Sequence, residues 1–170
     1  MVYKVDKKLV VLTVVLLLSS LFFTYSVYAI GMGGGGLAVC FVAVLFILFN
    51  LMILLSKKIE MHDGEISQVT LYGKKSVKVE DIEDIGIVKL RWRIILILSD
   101  PHKFVFISSL YDDFEGFVQE LKNGLSEKME TLLAPVTPKM ISAKKNFLLG
   151  VVVIMTVFFI GSGFYNILYR

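Results

Sequence analysis

Residues 9–30 read LVVLTVVLLLSSLFFTYSVYAI, a run of 22 residues without one charged or histidine side chain. As a helix that rises about 1.5 Å per residue, this run reaches roughly 33 Å, enough to cross a hydrocarbon core of about 30 Å. A second uncharged run covers residues 37–55. Both runs predict transmembrane helices. The short connection GMGGGG at residues 31–36 suits a helix poorly and predicts an antiparallel hairpin.

A third apolar block predicts another span over about residues 147–168. The chain of 170 residues is 56% hydrophobic and 19% charged, against about half apolar and a quarter charged in soluble domains. Because the excess lies in three blocks, it favours three spans over one large core. The third span also contains the small residues Gly150, Gly161, Ser162 and Gly163. Close helix approach is one interpretation of them, and the general abundance of glycine in membrane helices is the favoured one.

Basic residues indicate the orientation of these spans. They cluster before the first span, after the second and before the third, as Lys4, Lys7, Lys8, Lys57, Lys58, Lys139, Lys144 and Lys145. Since basic residues favour the cytoplasmic side, we expect a protein of the cell (inner) membrane with the N-terminus and the central domain in the cytoplasm and the C-terminus outside. A signal peptide cleaved after Ala29 is the alternative for residues 1–29, although the apolar run is long for that purpose.

From Lys57 the hydrophobic period changes to two, which is typical of strands. Six strands are predicted, in residues 59–61, 66–71, 77–79, 82–88, 93–99 and 104–108. A turn at His62-Asp63-Gly64 joins the first two. The period then becomes helical, and one apolar stripe predicts an amphipathic helix, with Ser109 as its N-cap and Asp112 in an acidic first turn. The stripe consists of Phe114, Phe117, Val118, Leu121 and Leu125.

This order resembles the pleckstrin-homology-like (PH-like) domains of small bacterial membrane proteins, which are similar also in having a transmembrane hairpin before the domain. The resemblance is carried by the hairpin 59–71, the segment 79–85, the hairpin 94–107 and the helix 111–125. It implies an α+β membrane protein in which a small antiparallel β-barrel or sheet, closed by one C-terminal helix, is inserted among three transmembrane helices. Six predicted strands are one fewer than the family's seven, so either one strand is hidden or the barrel is incomplete.

The predicted domain organisation has four parts. They are a transmembrane hairpin (1–56), a cytoplasmic PH-like domain (57–125), an interfacial linker (126–145) and a third transmembrane helix (146–170). The linker is predicted to lie on the membrane surface because Pro135 and Pro138 interrupt any continuous helix. Its apolar residues are Met129, Leu132, Leu133, Val136, Met140 and Ile141.

The resemblance implies a binding module rather than an enzyme. Phosphoinositide-binding members carry clustered basic residues in the first hairpin loop. Residues 61–65 here read MHDGE, with two acidic residues and neither Lys nor Arg, so no specific phosphoinositide binding is expected. Fourteen basic residues between Ser56 and Lys145 balance fourteen acidic ones, which argues against nucleic acid as a partner. The kind of binding that remains is contact with another protein through an open sheet edge or a hairpin loop.

No motif indicates catalysis, a cofactor or a metal site. His62 and His102 lie in predicted turns, and the single cysteine, Cys40, lies within a span. The candidate site is Arg91-Trp92-Arg93. One interpretation is a contact with a partner or with the membrane surface, and the other is a hairpin tip whose Trp covers the barrel end.

We predict a membrane-anchored, non-enzymatic scaffold or accessory subunit, with the lipid bilayer and a protein or a second copy as partners. The alternative is a transporter or channel component whose spans line a path after oligomerisation. That alternative rests on Thr, Ser and Asn residues within the spans, among which Asn50 is predicted to form an interhelical hydrogen bond.

Overall fold

The computed structural model describes residues 1–125 and 127–169, with only the backbone of residues 127–129. The described residues form seven strands and five helices. The strands are β1 (Val2–Lys4), β2 (Lys58–His62), β3 (Glu65–Thr70), β4 (Gly73–Lys78), β5 (Asp84–Lys89), β6 (Ile94–Ser99) and β7 (Phe104–Ser108). The helices are α1 (Lys7–Ala29), α2 (Gly34–Ser56), α3 (Phe114–Gly124), α4 (Glu127–Leu133) and α5 (Pro138–Tyr169).

The chain divides into two compact units. The sheet unit comprises Met1–Asp6 and Ser56–Leu148, and the helix unit comprises Lys7–Leu55 and the residues from Leu149 onward. Three helices, α1, α2 and α5, are long and apolar enough to span a membrane, as the sequence predicts. Ser126, Arg170 and the side chain of Met129 belong to predicted segments but lie outside what the structure describes.

The sheet unit contains two antiparallel sheets, with strand orders β1-β2-β3-β4 and β5-β6-β7. In the described residues they do not close into a barrel, so the barrel form of the prediction is wrong while the α+β class and the antiparallel pairing are confirmed. The chain leaves the first sheet through a 3-10 turn at Val79–Asp81 before β5 begins. This turn separates β4 from β5, because its own hydrogen bond, from the Ile82 N–H to the Val79 carbonyl, replaces pairing between strands.

The strand that the sequence interpretation missed is β1, which precedes the first apolar helix. It pairs with β2 through Tyr3 opposite Ile59. From the end of β1 onward the chain also meets the segment after β7, where the Asp112 N–H donates to the Lys4 carbonyl at 2.7 Å and the Asp6 N–H donates to the Leu110 carbonyl at 2.9 Å. Three residues beside a long apolar run give no visible period of two, so no sequence pattern marks this strand.

Helix α3 closes one side of the core with the predicted apolar stripe. Phe117 and Leu121 are fully buried, and Phe114 and Val118 are nearly so. The predicted turn between β2 and β3 is also confirmed, because Asp63 and Gly64 both have positive φ angles, of 47° and 74°. Strands β2, β3, β6 and β7 supply further fully buried side chains, which are Ile59, Ile66, Ile94, Leu96, Leu98, Val105 and Ile107.

The N-cap of α3 is Asp113 rather than the predicted Ser109. The Asp113 carboxylate accepts a hydrogen bond from the Gly116 N–H at 3.1 Å. We expect Asp113→Ala to lower the unfolding free energy by about 1 kcal/mol, the usual cost of losing a cap. Asp112→Ala is the matched control, since its exposed side chain caps nothing, and thermal unfolding of both variants in detergent would compare them. Equal midpoints would contradict this capping role.

The predicted linker is divided between α4 and the first turns of α5. No helix runs through residues 134–137, and Pro138 begins α5, because proline fits the first helical turn, where its missing N–H costs nothing. Three of the linker's apolar side chains, Leu133, Val136 and Ile141, are buried within the protein. Their apolar surface is therefore covered by protein. Contact of the remaining linker residues with the membrane stays a prediction.

In the helix unit, α1 packs against α5. Phe23 lies 5.6 Å from Phe159 between ring centroids, and the Asn166 amide donates to the Ser26 hydroxyl at 3.1 Å. These contacts advance in the same direction along both helices, so α1 and α5 run parallel. Gly163 allows the approach, since a Cβ there would lie 2.5 Å from the Phe22 ring, whereas Gly150 and Gly161 face open space.

Asn50 does not make the predicted interhelical bond, because its amide donates to the Phe46 carbonyl of its own helix at 2.8 Å. Helix α2 also begins earlier than predicted. It includes Gly34–Gly36, so only Ile30–Gly33 separate α1 from α2.

Candidate functional site

The second sheet has an apolar outer face, which we call the outer sheet face and define as Val88, Ile95, Ile97, Phe104 and Phe106. Side chains of a strand alternate between the two faces of its sheet. On β7, Val105 and Ile107 are fully buried, whereas Phe104 and Phe106 are 55% and 48% exposed. A one-sided antiparallel sheet usually alternates apolar with polar residues, and this one does not.

The strand register places these side chains next to one another. Ile97 lies opposite Phe106 on β7, and Ile95 lies opposite Val88 on β5. Ile95 and Ile97 are half-buried, and Val88 is 40% exposed. The face is therefore one continuous patch rather than scattered side chains. Apolar patches of this kind mark interaction sites more often than single exposed residues do.

Polar residues border the outer sheet face. Asp84 and Ser99 pair with each other beside Phe104, and Ser108 pairs with Ile95 at the other end of the patch. An apolar centre with a polar border is the usual arrangement of a protein–protein contact surface.

A second surface lies at the turn between β5 and β6, where the predicted site Arg91-Trp92-Arg93 is found. We call Lys57, Arg91, Trp92, Arg93, Lys144 and Phe147 together the tip cluster. The turn is closed by the Leu90 N–H, which donates to the Arg93 carbonyl at 2.9 Å. Helix α5 holds it through Lys144, whose ammonium donates to the Leu90 carbonyl.

The side chains of Arg91 and Trp92 take different directions from this turn. The Arg91 guanidinium lies over the Phe147 ring, 5.1 Å from its centroid, which is a cation–π distance. Trp92 is 47% exposed, so both interpretations of this segment, a contact site and a hairpin tip whose Trp covers the end of the sheets, stay predictions.

The positive charges of Lys57 and Arg93 in the tip cluster lie close together. Burial, followed by the nearby Arg93 charge, lowers the pKa of Lys57 below its usual range. The Nε of Arg93 is buried, and the structure describes no hydrogen-bond partner for it. Among the described side chains, neither Lys57 nor Arg93 has a carboxylate within ion-pair distance.

The first hairpin differs in charge from the tip cluster. A cleft of about 610 Å³ lies beside it, and the lysines of that cleft are neutralised. Lys74 lies 3.9 Å from Glu60, and Lys78 lies 3.6 Å from Glu80. In the part of the chain that the structure describes, no group of three or more His, Cys, Asp or Glu side chains is placed to hold a metal ion.

The sequence interpretation named three members of the tip cluster and missed the other three, along with the outer sheet face. Lys57, Lys144 and Phe147 are distant in sequence from Arg91, so only the fold brings them together. The outer sheet face did leave a signal, because residues 93–99 read RIILILS, which places apolar residues on both faces of the strand.

Comparison of the chain with protein-family models, with curated proteins and with solved structures finds no match. Its function is therefore argued from the two surfaces and their chemistry.

Proposed function

We propose that this protein is a membrane-anchored, non-enzymatic scaffold or accessory subunit whose sheet unit binds another protein through the outer sheet face. The observation that carries the proposal is the exposure of Phe104 and Phe106 beside Ile97 on one continuous apolar face. Leaving such a patch in water is unfavourable by about 25 cal/mol for each Å² of apolar surface that a partner would cover.

A protein fits this face better than the bilayer does. The carboxylate of Asp84 and the hydroxyls of Ser99 and Ser108 border the patch, and a carboxylate there would be repelled by an anionic membrane surface. A partner protein can offer hydrogen-bond donors to the same groups.

Strand addition at a sheet edge is less favoured than docking on the face. The exposed strand β4 carries Lys74, Lys75 and Lys78, and lysines on an edge discourage pairing with another strand. On β7, the Phe106 carbonyl already accepts a hydrogen bond from the Gln68 amide at 2.5 Å.

The PH-like resemblance remains part of the proposal. A four-stranded and a three-stranded antiparallel sheet followed by α3 give seven strands and one helix, the number of strands that the family has. The seventh strand is β1, so the transmembrane hairpin would be an insertion between the first two strands. The absence of barrel closure among the described residues leaves the assignment at the level of strand count and order.

The proposed topology places the N-terminus and the sheet unit in the cytoplasm and the C-terminus outside, at the cell membrane. Pairing of β1 with β2 supports one part of it, because both ends of the α1–α2 hairpin then belong to the same folded unit. The parallel course of α1 and α5 supports the other part, since both would cross in the same direction. The lysine clusters indicate which side is cytoplasmic, because basic residues favour that side of the membrane.

The transporter or channel alternative has no comparable observation in its favour. The hydroxyls of Thr13, Thr24 and Thr156 donate to backbone carbonyls of their own helices, at 2.8–2.9 Å. Side chains engaged in this way commonly serve the helix itself. The alternative stays a prediction that flux measurements in liposomes would test.

Site-specific photocrosslinking in native membranes tests the proposed docking face. A photoreactive phenylalanine analogue at position 106 is expected to give one discrete adduct, identified by mass spectrometry. The same analogue at Tyr72, which is 80% exposed in the turn after β3, is the matched control and is expected to give none. An adduct of twice the 19.1 kDa chain mass would identify a second copy as the partner.

Phe104→Glu is expected to reduce the adduct yield at position 106 at least ten-fold, because truncated aromatic anchors commonly cost an interface more than 1–2 kcal/mol. Equal yields at positions 106 and 72, or adducts with lipid alone, would contradict binding through this face.

A further inference from the structure

We propose that the tip cluster is a binding site for the phosphate group of an anionic phospholipid headgroup. This site is separate from the outer sheet face and does not depend on the partner protein proposed above. Its ligand would be drawn from the membrane that surrounds the protein, and the cluster would fix the sheet unit at that surface.

The position of the tip cluster in the chain brings it to headgroup level. Lys57 directly follows Ser56, the last residue of α2. Lys144 lies on the same continuous helix as the apolar residues from Leu149 onward, about 7 Å before them at 1.5 Å per residue. If α2 and α5 span the bilayer, the basic side chains lie where phosphates lie. Trp92 has the amphipathic ring that favours the same depth.

The chemistry of the tip cluster suits a phosphate. Its guanidinium groups present forked N–H donors that match phosphate oxygens. The buried Nε of Arg93 has no described hydrogen-bond partner, and Lys57 and Arg93 stand close together with no described carboxylate within ion-pair distance. Bringing two like charges together is unfavourable, and a bound anion would relieve it.

The remaining cations are already oriented. Arg91 is held over Phe147 by its cation–π contact, and Lys144 is held by its hydrogen bond to the Leu90 carbonyl. Groups held in place before binding lose less side-chain freedom when a ligand arrives. The lysines of the first-hairpin cleft, by contrast, already lie near carboxylates, so that cleft offers no comparable excess of positive charge.

The chain contains a single tryptophan, and it lies in the tip cluster, so its fluorescence reports on the site directly. The test is titration of the purified full-length protein in mild detergent with phosphatidylglycerol, with phosphatidylcholine and with inorganic phosphate. A saturable change in Trp92 emission is expected with phosphatidylglycerol only. The same response to phosphatidylcholine, or to inorganic phosphate at equal concentration, would overturn an anionic lipid as the ligand.

The double variant Arg91→Gln/Arg93→Gln is expected to weaken the phosphatidylglycerol response roughly thirty-fold, since each basic residue at an anionic surface contributes about five-fold. Lys74→Gln/Lys75→Gln is the matched control, because it removes the same charge from β4 and is expected to change the response less than two-fold.

Arg91→Gln alone changes an exposed side chain, so it keeps the test valid if the double variant misfolds. It is expected to weaken the phosphatidylglycerol response about five-fold. Equal losses in the β4 variant and the tip variant, or no loss in Arg91→Gln, would overturn the proposal.

Discussion

Replacing Lys145 with methionine is expected to destabilise the sheet unit by about 3 kcal/mol or more, among the largest effects of any single substitution in this chain. The Lys145 ammonium pairs with the carboxylate of Asp6, which is only 4% exposed. Removing the ammonium takes away the cation that pairs with this buried carboxylate, and weakening the compensation of a buried charge is costly in a medium of low dielectric constant. The pair also ties the segment after β1 to α5, since Asp6 and Lys145 lie at opposite ends of the sheet unit's sequence.

Thermal unfolding in mild detergent measures the effect. For a unit of about 100 residues, a loss of 3 kcal/mol corresponds to a fall in Tm of roughly 12 °C or more. Lys58→Met is the matched control, because both side chains of the Lys58–Glu60 pair, 2.6 Å apart, are partly exposed, and its loss is expected to lower Tm much less.

The double variant Asp6→Asn/Lys145→Met is expected to regain much of the lost stability, because it removes the buried charge as well as its partner. Equal small shifts for Lys145→Met and Lys58→Met would show that the Asp6 carboxylate is not the cause.

Periodicity was sufficient for most of the fold. The apolar runs predict the three long helices, and the alternation after Lys57 predicts β2 to β7 within one or two residues at most ends. These features are local, because they depend on side chains two to four residues apart. Barrel closure is not local, so the sequence predicts a barrel or a sheet without deciding between them, and the described residues form two sheets that do not close.

The parts that the sequence could not supply depend on distant pairs. Strand β1 exists because residues 2–4 find β2 across an insertion of two helices. Asn166, and not Asn50, makes the interhelical bond, because its position faces Ser26. Composition cannot distinguish the two asparagines, since both lie in uncharged runs.

The candidate surfaces show the same difference between features that depend on neighbouring residues and features that depend on distant ones. Arg91-Trp92-Arg93 stands out in the sequence because its three residues are adjacent and the chain's single tryptophan lies between two arginines. The members Lys57, Lys144 and Phe147 are supplied by other elements, and only the packing of α5 beside the β5–β6 turn adds them. Whether this cluster serves as a contact site stays a prediction until the lipid titration is done.

Replacing Tyr3 with alanine is expected to cost the sheet unit about 3–4 kcal/mol, although the residue lies near the chain start, where substitutions are usually tolerated. Tyr3 is only 7% exposed, and its ring packs edge-on against Phe117, with ring centroids 5.5 Å apart. Its hydroxyl donates to the Glu120 carboxylate at 2.6 Å, and burial together with this carboxylate raises the pKa of Tyr3. The substitution therefore opens a cavity beside α3 and removes a charge-assisted hydrogen bond at once.

Two further variants separate these contributions. Tyr3→Phe keeps the ring and is expected to cost about 1.5–3 kcal/mol, the value of one hydrogen bond to a charged group. Val2 lies on the opposite face of the same strand and is 58% exposed. Val2→Ala is expected to change the unfolding free energy by less than about 0.5 kcal/mol. Thermal unfolding in detergent and proteolysis of the sheet unit would rank the three variants. If Tyr3→Ala were as stable as Val2→Ala, β1 would not be an integral strand of the sheet unit, and the proposed insertion of the transmembrane hairpin between the first two strands of a PH-like domain would fail with it.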